Sequence, residues 1–107
     1  MALKKANTII QQNPLVVFSK SYCPYCRKVK ELLKSLGANA KVIEVDQEKD
    51  GGELQAALGE ISGQQTVPNV FIGGQHVGGC DATVAANNKG TLVPLLKDAG
   101  VLKNENE

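Results

Sequence analysis

The chain has 107 residues, 42% of them apolar, and carries twelve Lys and Arg against eleven Asp and Glu. That length supports one hydrophobic core without metal or disulfide staples, so a single domain over residues 1–107 is expected. The balanced charge, with no basic cluster interleaved with aromatics, argues against a nucleic-acid partner.

The opening segment carries Lys4 and Lys5, but Asn7, Gln11 and Gln12 interrupt its apolar residues and no signal-peptide core forms. The run Leu15 to Phe18 is far too short to cross a bilayer, so no membrane association is expected. Three cysteines are an odd set, whereas short secreted chains stapled by disulfides usually carry an even one. A reducing, cytoplasmic location is the expectation.

Leu3, Ala6, Ile9 and Ile10 suit a short amphipathic helix that Asn13 and Pro14 should end. Leu15, Val16, Val17 and Phe18 follow without alternation, as in a strand covered on both faces. A second helix is expected from Pro24, with Val29, Leu32, Leu33 and Leu36 on one face and Gly37 as its stop. Val42, Ile43 and Val45 read as a second strand, and the helix between the two makes a right-handed parallel βαβ unit.

Leu54, Ala57, Leu58 and Ile61 mark a third helix, followed by a loop over residues 62–65 and a strand over residues 69–72. Gly73 and Gly74 suit a tight hairpin turn into His76 and Val77. A short helix over residues 81–86 and another carrying Leu92, Leu95, Leu96 and Ala99 complete the pattern, with a polar tail from Lys103 expected to fray. The sum is an α/β fold: a central four-stranded mixed sheet, built from a βαβ unit and a ββ hairpin, flanked by about five helices.

Cys23-Pro24-Tyr25-Cys26 carries the strongest chemical signal, because it follows a buried strand and opens a helix. Unpaired amides and the macrodipole at a helix N-terminus favour an anion, so Cys23 should ionise readily while Cys26 sits inside the first turn. The expected roles are nucleophile for Cys23 and resolving thiol for Cys26, with Lys20 adding to the acidity of Cys23. The competing reading is half a zinc site completed by His76 and Cys80. Zinc knuckles usually sit on turns in domains short of core, whereas a strand and a four-position apolar helix face flank this pair.

Thr66-Val67-Pro68 precedes a strand, where proline cannot donate to a ladder. A cis Val67–Pro68 bond would turn the amide and carbonyl of Val67 outward, ready to pair with an extended peptide. Alone, the triplet reads as an ordinary strand-entry turn; the Cys pair makes a binding role the better reading. Gly78-Gly79-Cys80-Asp81 adds glycines that admit a ligand close to the backbone and a helix start whose amides suit a carboxylate.

These three motifs, in that order over about a hundred residues, resemble the glutaredoxin family, and especially the dithiol glutaredoxins of plants and green algae. The resemblance implies a thioredoxin-like fold and a glutathione-dependent oxidoreductase that reduces protein–glutathione mixed disulfides and protein disulfides. It further implies that Thr66, Val67 and Pro68 hold the backbone of glutathione's cysteine, with Tyr25 packing beside the reactive thiol. Lys20 and Gln65 would meet the glycine carboxylate. Gly79 would lie along the ligand, the amides of Cys80 and Asp81 would meet the γ-glutamyl carboxylate, and the Asp81 side chain would meet its ammonium.

Two positions depart from the pattern. Gln65 stands where many relatives carry Arg, which predicts a weaker hold on the glycine end. Ala82 stands where many have a second acid, leaving Asp81 to meet the ammonium alone. The resemblance implies a monomer whose partners are glutathione and its disulfide substrates, with no resident metal. Its alternative is a homodimer sharing a [2Fe-2S] cluster between nucleophilic cysteines and bound glutathiones, which Pro24 disfavours by stiffening the turn. Cys80 is left with two readings, a packing residue or a site of glutathionylation at the groove lip.

Overall fold

Leu15–Ser19 (β1) is buried at all five positions, because both faces of the central sheet are covered. The computed structural model describes residues 2–102; Met1 and the polar tail over residues 103–107, expected to fray, lie outside the described residues. A helix over Ala2–Gln12 (α1) precedes β1, and the Asn13 side chain closes it by donating to the Ile9 carbonyl at 2.9 Å. Pro24–Ser35 (α2) follows β1, with proline in the first turn where a missing amide costs nothing. Gly37 ends it in the left-handed region at φ 83°, donating to the Lys34 carbonyl.

Lys41–Glu44 (β2) pairs parallel with β1. Val45, read from sequence as part of this strand, instead begins a 3-10 turn over Val45–Gln47, which tucks its side chain into the core. Gly51–Ser62 (α3) leads through the loop at residues 63–68 to Asn69–Ile72 (β3), antiparallel to β1. Gln75–Gly78 (β4) returns as the other edge, giving the order β2-β1-β3-β4. Gly73 and Gly74, at φ 58° and 81°, supply the two left-handed residues of a primed two-residue hairpin.

Cys80–Asn88 (α4) is longer at both ends than the segment predicted over 81–86, and Leu92–Asp98 (α5) completes the fold. The two sheet faces divide the core by strand alternation. Leu15, Val17, Val70 and Ile72 pack with Val29 and Leu33 of α2 and with Leu92 and Leu96 of α5. Val16, Phe18 and Phe71 face the opposite way, against Ala6 and Ile10 of α1 and Leu54 and Leu58 of α3. There the Phe18 and Phe71 rings meet edge to face, centroids 5.9 Å apart.

This topology gathers the three sequence motifs. The C-terminal end of β1 lies beside the start of β3, since Phe18 pairs with Asn69, and Gly78 at the end of β4 pairs with Val70. The Cys pair, Thr66-Val67-Pro68 and Gly78-Gly79 therefore share one end of the sheet. A bulge at Val77, which is skipped between the Val70–Gly78 and Phe71–His76 pairs, twists β4 just before the glycines. Among the described residues no helix is long and apolar enough to cross a membrane.

Candidate active site

Cys23 is the N-cap residue of α2, and its Sγ accepts a hydrogen bond from the Cys26 amide at 3.3 Å. The sulfur thus does what a capping serine or aspartate oxygen does, satisfying an amide the helix leaves unpaired. Partial burial opposes ionisation of Cys23, but hydrogen bonds from the Cys26 thiol and from the Cys26 and Tyr25 amides outweigh it. With the nearby charge of Lys30 they hold the thiol below its ordinary value. Cys26 moves the other way: it is fully buried, and desolvation together with its hydrogen bond to Cys23 raises its pKa. The two thiols of the pair are thus set apart in acidity, Cys23 the stronger acid and Cys26 the weaker.

Lys30 is the leading cation at the Cys23 thiol, ahead of Lys20. It projects from α2 to an ion pair with Glu44 of β2 at 3.0 Å. Lys20 lies instead in the field of Asp46, whose carboxylate accepts from the Ser21 hydroxyl and, at 3.0 Å, from the Ser21 amide. Lys30→Gln is therefore expected to slow iodoacetamide alkylation of Cys23 at mildly acidic pH by a small factor, about two- to fivefold, because the pair is partly screened. Lys20→Gln should slow it less than Lys30→Gln does. A larger effect from Lys20 than from Lys30 would contradict the assignment.

The Ser21–Asp46 contact ties the loop before Cys23 to the 3-10 turn after β2. The Ser21 hydroxyl and amide, with a smaller contribution from Lys20, hold the Asp46 carboxyl below its usual value of 3.8. Because the folded value is depressed, the tether is fully formed above the ordinary carboxylate range and is lost as pH falls through the lower folded value. The Ser21 amide resonance is expected to move with an acid midpoint below that of a free aspartate. An Asp46→Asn protein should show no such midpoint.

A groove of about 410 Å³ runs from Tyr25 past Thr66, Val67 and Pro68 to Gly79, Cys80, Asp81 and Ala82. The Val67–Pro68 bond is cis. Tyr25 and Asp81 are exposed, Val67 and Gly79 half-buried, and Pro68 and Cys80 buried. Gly79 caps α4 without a side-chain hydrogen bond, and its carbonyl accepts from both the amide and hydroxyl of buried Thr83, the latter at 2.8 Å. Cys23 opens onto an adjoining depression formed with Ser21, Tyr22, Pro24 and Arg27.

Two predicted contact residues, Lys20 and Gln65, do not line this groove. Gln65 is exposed on the side of the loop that faces α3, where its carbonyl accepts from Gln55 and its side chain lies over Gly59. Gln64, a residue the sequence reading did not single out, lines the groove wall. Adjacent glutamines in a loop carry no periodicity, so nothing in the sequence shows which one turns inward. His76 lies on the hairpin, its ring 5.2 Å from that of Phe71.

An acidified cysteine capping a helix, a buried partner three residues on and a groove floored by a cis-proline together define a thiol–disulfide exchange protein of thioredoxin-like fold. The glutaredoxin family model matches residues 15–77. The chain is 59% identical over 102 residues to a glutaredoxin of Solanum lycopersicum, covering 95% of this chain and 94% of that one. It is 57% identical over 102 residues to glutaredoxin-C2 of Arabidopsis thaliana, covering 95% and 92%. The buckwheat glutaredoxin–glutathione complex superposes with a TM-score of 0.94 at 55% identity, over 95% of this chain and 93% of the other. The chain belongs to the glutaredoxin family.

Proposed function

We propose that the chain reduces mixed disulfides between glutathione and proteins, and protein disulfides, through Cys23. The observation that carries this reading is the opposed pair of thiols, one acidified at the helix cap and the other buried and protonated, beside an open groove. The Cys23 thiolate attacks the glutathione sulfur, the S–S bond to the target breaks, and the target leaves as a thiolate that takes a proton. A second glutathione thiolate then attacks the glutathione sulfur held on Cys23, forming glutathione disulfide and restoring the Cys23 thiolate. The buckwheat relative's complex with glutathione supports glutathione as the co-substrate.

On a protein disulfide, Cys23 first forms a mixed disulfide with the target. Cys26 then attacks the Cys23 sulfur, releasing the target as a dithiol and closing Cys23–Cys26, which two glutathiones reopen. Ionisation of Cys26 becomes easier at that stage, because a disulfide-bonded Cys23 no longer bears the negative charge that opposes it.

A cytoplasmic, monomeric protein forms part of this proposal, since an odd set of three cysteines suits a reducing compartment. The test is glutathione-dependent reduction of a small glutathione mixed disulfide by protein purified without oxygen, with its visible spectrum recorded first. Turnover by a colourless protein is the expected result. Visible absorption bands with no turnover would favour the cluster-sharing homodimer and overturn the reading.

A further inference from the structure

Gln64 braces the Thr66-Val67-Pro68 arm of the groove. Its Nε2 donates to the Thr66 carbonyl at 3.1 Å and to the Pro68 carbonyl at 3.0 Å, straddling Val67. A carboxamide nitrogen has two hydrogens, and both are engaged, so the orientation of the group is fixed: nitrogen toward the carbonyls, oxygen away from them. The oxygen points across toward the other arm. A β-carbon placed on Gly78 would lie 4.0 Å from Oε1 and 2.8 Å from the β-carbon of Ala82, so oxygen and methyl flank one spot. Oε1 has no hydrogen-bond partner among the described residues, and Gln64 lines the groove.

Resting on the glutathione reading above, we propose that Gln64 Oε1 is the second acceptor for the α-ammonium of the γ-glutamyl residue, acting beside Asp81. The free amides of the first turn of α4, uncapped by Gly79, suit the α-carboxylate. In an α-amino acid headgroup the ammonium sits on the same carbon as that carboxylate, so it falls within a few ångströms of the same helix start. Asp81 supplies a charged acceptor there, and Ala82 supplies none. An ammonium carries three donors and gains from more than one acceptor. Gln64 provides a neutral one that is already oriented, so little rotamer freedom is lost when the contact forms.

The experiment compares two mixed disulfides of one small thiol, one with glutathione and one with the analogue lacking the α-amino group (glutaryl-cysteinyl-glycine), in the wild type and in Gln64→Met, which keeps side-chain bulk. Loss of the amino group is expected to raise KM about tenfold in the wild type but only about two- to threefold in Gln64→Met, with kcat for each substrate little changed. If Gln64→Met raises KM by the same factor for both substrates, the residue only props the wall and the inference is overturned. A wild type that turns over both substrates equally well overturns it while the glutathione reading stands; one that turns over neither removes both. The carboxamide carbon-13 resonance of Gln64 in the wild type gives a readout independent of any variant. It is expected to shift on saturation with S-methylglutathione but not with its des-amino analogue, and equal shifts would also overturn the inference.

Discussion

Replacing Cys23 with serine is expected to lower reduction of a small glutathione mixed disulfide by at least about a thousandfold, because a hydroxyl at the helix cap stays protonated and is a poor nucleophile toward sulfur. Cys26→Ser should behave quite differently. The glutathione route needs only Cys23 and a second glutathione, so that activity should stay within about threefold of the wild type. Direct reduction of a protein disulfide should fall at least about tenfold, since the mixed disulfide can no longer be resolved from within. The serine hydroxyl fits the buried Cys26 site, and the Cys26 backbone amide that caps the Cys23 sulfur is kept. Steady-state assays on the two substrate types separate the routes, and equal losses in both would contradict the division of labour.

Where the sequence was legible, one physical rule governed the segment. The unbroken run Leu15 to Phe18 required a strand buried on both faces, and the structure covers it with α1 and α3 on one side and α2 and α5 on the other. Cys23 before Pro24 read as a helix start because proline tolerates only the first turn, and Cys23 is that cap. The three motifs could be ordered along the chain, and their gathering at one sheet end follows from β1 and β3 being antiparallel.

What remained hidden depended on contacts between segments distant in sequence. Val45 follows Val42, Ile43 and Glu44 and reads as strand, yet it turns into the core with Leu54 and Leu58, neighbours no local pattern reveals. Lys20 lies three residues from Cys23 and Lys30 seven, so proximity in sequence favoured Lys20. In the fold Lys20 lies in the field of Asp46, and Lys30, two turns into α2, is the leading cation at Cys23. Gln64 lines the groove and Gln65 does not for a related reason: the loop at residues 63–68 is held by side-chain hydrogen bonds from Ser62, Gln64 and Asn69. Such bonds set which residue faces the groove without leaving any repeat in the sequence.

Gly51 offers the sharpest test of how the core supports the site. A β-carbon there would stand 1.9 Å from the carbonyl oxygen of Val45, a backbone atom that cannot rotate aside. The next residue, Gly52, has nothing within 4 Å of the same position. Gly51→Ala must therefore push the start of α3 away from the 3-10 turn, disturbing Val45 in the core and the turn that carries Asp46. The expected cost is about 3 kcal/mol or more, at the upper end of overpacking effects, and would lower the melting temperature by more than about 10 °C in a chain of this size. Gly52→Ala adds the same methyl to the first turn of the same helix and should leave stability unchanged or raise it by up to about 1 kcal/mol, because alanine loses less backbone freedom on folding. Thermal unfolding of the two proteins side by side distinguishes a clash from a propensity effect, and a similar shift in both would show that α3 can slide away from Val45 at little cost. The Ser21 amide adds a functional readout: in folded Gly51→Ala it should lose its acid midpoint as the Asp46 tether is displaced, whereas in Gly52→Ala the midpoint should match that of the wild type.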